Sequence, residues 1–185
     1  MAILIGLAIL IILIIFVVLY VINTYNTFIS LGERVTNGKA QIAAQIESRF
    51  DAVKNLIQAT KQYAEYESET LENVVSQRVG VNQNSSIEQI EKENNELEQV
   101  VGRLIAISEA YPELKASDVY KTTMESVNKY EDNVRHARMI YNDVVTKFNR
   151  MIKMFPSNIV ASLFKFEARE YFEETATKQD MPSWD

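Results

Sequence analysis

The segment from Ala2 to Ile22 reads AILIGLAILIILIIFVVLYVI and carries no charged residue. As a helix its 21 residues would span roughly 31 Å, close to the thickness of bilayer hydrocarbon. Seventeen of them are Ile, Leu, Val or Phe. Together these favour insertion by about 5–10 kcal/mol. Tyr20 stands near one end, where an interfacial tyrosine is expected. A cleaved signal peptide would have a basic start, a shorter apolar run and a small-residue cleavage site. Nothing basic precedes this run except the α-amino group, and Val21-Ile22-Asn23-Thr24-Tyr25 offers no A-x-A pattern. The run is apolar on every face, unlike the stripe of a soluble helix. It reads as an uncut transmembrane anchor, with the bilayer as partner of residues 2–22.

The remainder, about 160 residues, is long enough to bury a sizeable core. The net charge is −6 and the pI about 5.0. Nucleic acid is therefore not the expected partner, because phosphate binding needs a basic face. The absence of cysteine removes disulfides, thiol catalysis and cysteine-ligated metals, and leaves the compartment open. Arg34 and Lys39 follow the anchor and no Lys or Arg precedes it. The positive-inside rule then places the C-terminal part in the cytoplasm. Ala2 and Gly6 form one small-xxx-small pair on which two spans could pack, so a homo-oligomer stays open.

Beyond the anchor the spacing predicts helices. Ile42, Ile46, Phe50, Val53 and Ile57, then Tyr63 or Ala64, Leu71 and Val74 or Val75, make one apolar stripe. This predicts a first soluble helix from about Val35 to Val79, stopped at Gly80, with a polar turn at Asn82, Asn84, Ser85 and Ser86. Ser85 stands three residues before Glu88, as in a capping box. Ile87, Ile90, Asn94, Leu97, Val101 and Leu104 follow as a seam with one polar member. Asn94 either fixes register inside the bundle or, more simply, lies at the seam's edge. Tyr111-Pro112-Glu113-Leu114 breaks the chain, and Ser117 or Asp118 can cap the next helix. Tyr120, Met124, Val127, Tyr130 or Glu131, Val134, Tyr141, Val145, Phe148, Ile152 and Phe155 mark a helix of almost forty residues, ended by Pro156. A short amphipathic element covers Ser157 to Phe164, and an aromatic, charged tail ends with Trp184. No segment reads as a strand.

Lengths limit the packing. The first soluble helix would be about 67 Å long and its Ser86–Glu109 neighbour about 36 Å. A stripe that outruns its partner stays wet, at about 25 cal/mol per Å² of apolar surface. Either the first helix bends back, for which Phe50–Lys54 is the expected place, or another chain covers the excess. The expected fold class is all-α: an N-terminal transmembrane helix followed by an antiparallel bundle of three to four long helices.

The chain resembles the LemA family of bacterial membrane proteins over essentially its whole length. The matching pieces are Tyr25-Asn26, Arg49-Phe50-Asp51 with Asn55-Leu56, Ala64 with Glu67, and Ala110-Tyr111-Pro112-Glu113-Leu114-Lys115-Ala116. Ala137-Arg138 with Tyr141-Asn142 comes next. Phe155-Pro156-x-Asn158, Ala161, Phe164-x-Phe166, Arg169 and Tyr171-Phe172-Glu173 complete the set. Each piece is weak alone; their order and spacing carry the likeness. Family members usually have a tryptophan in the first soluble helix and a proline before the Asn-Leu pair, where this chain has Lys54. The resemblance implies an anchor at residues 1–24, a helical-bundle domain at 25–165, a tail at 166–185 and a bundle on the cytoplasmic side of a bacterial cell membrane. It implies no activity.

No catalytic constellation is evident. The single histidine, His136, has Asn133 three residues before it, so a Glu-x-x-His metal pattern fails, and no G-x-S-x-G elbow or phosphate-cradling glycine loop occurs. No metal, cofactor or enzymatic activity is expected. Glu65, Glu67, Glu69 and Glu72, with Glu88, Glu91, Glu93, Glu96 and Glu98, read as solvated helix faces, with a docking face for a basic partner as the alternative. The candidate interaction or structural residues are Tyr25, Asn26, Arg138, Tyr141, Asn142, Asn149, Phe155, Pro156, Asn158, Phe164, Arg169, Tyr171 and Phe172. Tyr141-Asn142 and Phe148-Asn149 repeat an aromatic-Asn step over seven residues, two helical turns, so both asparagines leave one face. The plain reading sets them beside the core seam; the sharper one is a hydrogen-bond ladder to the membrane-proximal helix. Lys147, Arg150, Lys153 and Lys165, interleaved with aromatics, are candidates for membrane-surface contact, with soluble snorkelling lysines as the alternative. The expected function is a membrane-tethered, non-enzymatic scaffold or partner for other membrane proteins. The alternative is a self-assembling or lipid-contacting structural protein.

Overall fold

The computed structural model describes residues 1–76 and 80–172. The described residues form six helices: α1 (Ala2–Thr60), α2 (Glu65–Ser76), α3 (Ile87–Ala110), α4 (Pro112–Ala116), α5 (Asp118–Lys153) and α6 (Ser157–Leu163). The anchor does not end where the bundle begins. One helix of 59 residues runs through both, about 88 Å in all. It is the one helix among the described residues long and apolar enough to cross a membrane. Side chains from Ile3 to Leu19 are exposed, and burial starts at Thr24 and Phe28.

The length problem is solved by α5 and by a turn. The 36 residues of α5 make a helix of about 54 Å, which lies antiparallel along almost the whole soluble part of α1. The turn falls at residues 61–64, not at Phe50–Lys54, and the expected continuous helix to Val79 is broken there. No Gly or Pro marks the turn. It follows from burial: Leu71 and Val75 of α2 fold back to share one core with Val53, Leu56 and Ile57. Val79 itself lies outside the described residues. Gly80 has a φ of 76°, the left-handed conformation in which glycine carries no side-chain penalty.

From α2 the chain descends along α1, where the Glu47 carboxylate accepts from Val81 N at 2.9 Å and Lys39 Nζ donates to Ser85 O at 3.0 Å. α3 then climbs beside α1. Its capping box is Ser86 with Gln89, one residue later than the expected Ser85–Glu88 pair. Ser86 Oγ accepts from Gln89 N at 3.1 Å and Gln89 Oε1 accepts from Ser86 N at 2.9 Å. Ser85 is diverted because its hydroxyl accepts from Asn82 N at 3.1 Å. At the far end Ser117, rather than Asp118, caps α5. The result is an antiparallel bundle of four legs, the second formed, among the described residues, by the short α2 and residues 80–86.

The core has three sections along the rod. The distal one holds Val53, Leu56, Leu97, Leu104 and Val127, and the middle one Ile42, Ile46, Ile90, Val134, Tyr141 and Phe172. The one nearest the apolar N-terminal run holds Phe28, Leu31, Phe148 and Ala161. At the α1–α5 crossing a Cβ on Gly38 would meet Tyr141 Cδ2 at 3.3 Å, whereas one on Gly102 meets nothing within 4 Å. Gly102→Ala is therefore expected to raise stability by about 0.5–1 kcal/mol through helix propensity. Gly38→Leu is expected to lose about 1–3 kcal/mol by overpacking. Urea unfolding of the two variants checks this; equal midpoints would contradict the close approach at Gly38.

Candidate functional site

Two polar constellations interrupt this apolar packing. The first was not foreseen. Arg49, not Phe50, occupies the inward position of the α1 stripe and is 1 % exposed. Its Nη2 donates to Glu131 Oε2 at 3.0 Å and its Nη1 to Asn94 Oδ1 at 3.3 Å. Asn94 Nδ2 in turn donates to Glu98 Oε1 at 2.9 Å. Asn94 is therefore buried inside the bundle, not at the seam's edge, because the guanidinium on α1 needs an acceptor there. Burial lowers the Arg49 pKa, while Glu131 and Glu98 act to raise it. The available signal was spacing: Arg49 stands three residues after Ile46 and four before Val53, on the apolar face.

The second constellation gathers most of the expected residues. After α6 the chain reverses through Lys165, whose φ is 56°. Phe166 N donates to Ala161 O at 2.9 Å and Lys165 N to Ser162 O at 3.3 Å, the bonding of a Schellman cap. Residues 166–172 then run back along α5. Asn149 Nδ2 donates to Arg169 O at 2.8 Å, and Arg169 N donates to Asn149 Oδ1 at 2.8 Å. Asn142 makes the same pair of bonds with Phe172, both at 3.0 Å. The register explains the match: two helical turns advance about 10.5 Å and three extended residues about 10 Å. The asparagine ladder exists, but it holds this C-terminal segment and not the membrane-proximal helix. Each carboxamide offers the donor and acceptor of a peptide group, so the clamp reads backbone and not side chains.

Side chains complete the clamp. Phe172 is buried against Tyr141 with ring centres 4.9 Å apart, and the Arg138 guanidinium lies 5.6 Å from the same ring centre. Arg169 stands 5.6 Å from the Phe148 ring centre. Burial and the attraction of Glu91 pull the Arg138 pKa in opposite directions, and burial wins, lowering it. The Tyr141 hydroxyl donates to Glu170 O at 3.0 Å. Burial raises the Tyr141 pKa above its ordinary 10.0, against the pull of Arg169. Its stabilising contribution is thus complete below pH 10.0 and lost as pH rises through the higher folded value. In an alkaline titration followed by phenolate absorbance, Tyr141→Phe is expected to delete a phenol that ionises above pH 10.0; an unchanged curve would contradict the burial.

At the membrane end, Phe166 stacks on Phe28 at 4.5 Å, and Tyr25 packs against Phe164 at 4.7 Å. Asn26, Pro156, Asn158 and Tyr171 are exposed. Phe155 is also exposed, at 77 %, and so leaves the α5 stripe expected to hold it. The reason is that α5 ends at Lys153 and Met154 turns extended. Lys147, Arg150, Lys153 and Lys165 are all exposed, as is His136. Trp184 and Glu173 lie outside the described residues. Among the described residues no three His, Cys, Asp or Glu side chains group closely enough to hold a metal ion.

Comparison with known proteins places this geometry. The magnetosome protein MamQ 2 of Paramagnetospirillum magneticum is 26 % identical over 176 residues, covering 81 % of this chain and 65 % of the relative. MamQ of Magnetospirillum gryphiswaldense is 25 % identical over the same coverage. Protein LemA of Metamycoplasma hominis is 26 % identical over 132 residues, 69 % of this chain and 58 % of the relative. The chain thus spans about two thirds or less of the length of these curated relatives. The model of the LemA family matches residues 38–184, well over half of the chain, and the chain belongs to the LemA family.

Proposed function

We propose that this LemA-family chain is a membrane-tethered, non-enzymatic scaffold, whose bundle stands on the cytoplasmic side of a bacterial membrane and engages other membrane proteins. The observation that carries the reading is the unbroken α1. A helix without a joint between span and bundle transmits position and orientation from the bilayer to the domain, which suits holding a partner in place. The polar constellations support it too. Arg49 and both asparagines spend their hydrogen bonds on internal structure, with none aimed into a cavity where a reacting atom could sit. The relatives named for the magnetosome favour a part in an assembly over a free-standing activity.

Photo-crosslinkers placed in native membranes at the exposed distal residues Tyr66 and Ile105 are expected to capture the same membrane protein from both positions. Capturing only abundant bystanders, different at each position, would reject the scaffold reading. Because the chain has no cysteine, one introduced at Lys129 reports orientation. It is expected to resist a membrane-impermeant maleimide in intact cells and to react once they are opened.

A further inference from the structure

We propose that the corner between α5 and α6 is a second membrane-contact site, binding anionic phospholipid at the bilayer surface beside the span. The proposal rests on the reading of Ala2–Ile22 as membrane-spanning. Its first support is level. Burial by the soluble domain begins at Thr24, two residues after Ile22, and Tyr25 packs on Phe164 at 4.7 Å. Tyr25 lies only about 4.5 Å along the helix axis from the end of the span. The headgroup zone extends about 5–7 Å beyond the hydrocarbon on each side, so the corner shares a level with the headgroups.

The second support is the surface found there. Phe155, Ile159 and Leu163 are 77, 59 and 67 % exposed, and Met154 is exposed as well. Ile159 and Leu163 are four residues apart on α6 and share its outer face, while Val160 and Ala161 are buried. Such a cluster on a short helix is costly in water and suited to the interface, where apolar side chains enter the acyl boundary.

The third support is charge. From Lys147 to Phe166 the chain has four cations, Lys147, Arg150, Lys153 and Lys165, and no Asp or Glu, although the whole chain has a net charge of −6. The facing stretch of α1, Asn23 to Gly32, has no charged residue; the nearest flanking acids are Glu33 on α1, Asp143 one turn before Lys147 on α5, and Glu167. Anionic headgroups attract such a segment, and the attraction fades within a Debye length, so it acts only on a group already at the surface.

The test uses the full chain, with single cysteines carrying a nitroxide at Leu13, Lys129, Ile159 and Leu163, reconstituted in vesicles of phosphatidylcholine with phosphatidylglycerol. Labels at Leu13, Ile159 and Leu163 are expected to collide readily with oxygen and to be several-fold more shielded from a water-soluble nickel chelate than the label at Lys129. In phosphatidylcholine alone, shielding at Ile159 and Leu163 is expected to fall while that at Leu13 is unchanged. Labels at Ile159 and Leu163 as open to the chelate as that at Lys129, with Leu13 shielded, would overturn the proposal and leave the anchor standing. Labels shielded from both probes would mean that protein, not lipid, covers the corner, and would also overturn it. An open label at Leu13 would remove the anchor itself.

Discussion

Glu131→Leu is expected to destabilise the domain by about 3 kcal/mol, more than Arg49→Met at the other end of the same bond, because only the first strands a buried charge. Arg49 is 1 % exposed and its strongest partner is Glu131 at 3.0 Å. With that carboxylate gone, the guanidinium keeps only Asn94 and a carboxylate of Glu98 at 3.9 Å. Arg49→Met removes the charge itself. Glu98 and Glu131 are each 39 % exposed and can regain water, and the methionine fills much of the same volume. Its cost is the Asn94 hydrogen bond, about 1–2 kcal/mol. Glu131 also pairs with Arg135 at 3.4 Å, an exposed contact four residues away on one helix, worth only a few tenths of a kcal/mol by the usual magnitude. Urea unfolding of both variants checks the order. Equal losses, or a larger loss for Arg49→Met, would show that packing and not charge dominates at this site.

The double substitution Asn142→Ala/Asn149→Ala is expected to free residues 166–172 while the rest of the bundle stays folded. It removes four hydrogen bonds at 2.8–3.0 Å, with a combined contribution of about 2–4 kcal/mol. The loss falls on a segment whose other attachments include the ring contacts of Phe166 and Phe172, the Tyr141 hydroxyl, the Arg169 guanidinium beside the Phe148 ring and the bond from Phe166 N to Ala161 O. Amide exchange is the sensitive measure. The backbone N–H groups of Arg169 and Phe172 should lose protection by about 30- to 1,000-fold. Amides of α1 and α5 around Val53 and Val127 should keep theirs. Retained protection at Arg169 and Phe172 would mean that the remaining contacts hold the segment without the asparagines. Asn149→Asp is a finer probe: it keeps the acceptor for Arg169 N and loses the donor to Arg169 O.

The same geometry explains why residues 166–172 belong on the bundle. The second leg of the rod is short, since α2 covers only the distal half. Beside the middle and proximal sections, Phe172 and Phe166 occupy the space that a longer helix would have filled. This segment therefore completes the core of the half nearest the apolar N-terminal run. Loosening the clamp would uncover Tyr141 and Phe148 beside the proposed lipid-contacting corner.

Much of the architecture was legible in the order of residues. A charge-free run of 21 residues marks a candidate membrane span, and seams such as Ile87, Ile90, Leu97, Val101 and Leu104 repeat at the period of a helix. The aromatic-Asn step over seven residues marked one face of α5 before its partner was visible. These signals are local: each depends on solvent and on the helical repeat, which act on neighbouring residues. Tertiary structure alone decided the rest. It placed the turn at residues 61–64, where no breaker stands, and turned Arg49 and Asn94 inward to meet across two helices. It also gave the asparagines an extended segment instead of α1 as partner. Such outcomes depend on what lies opposite a side chain, a residue 20 to 82 positions away along the chain, and periodicity holds no record of that distance.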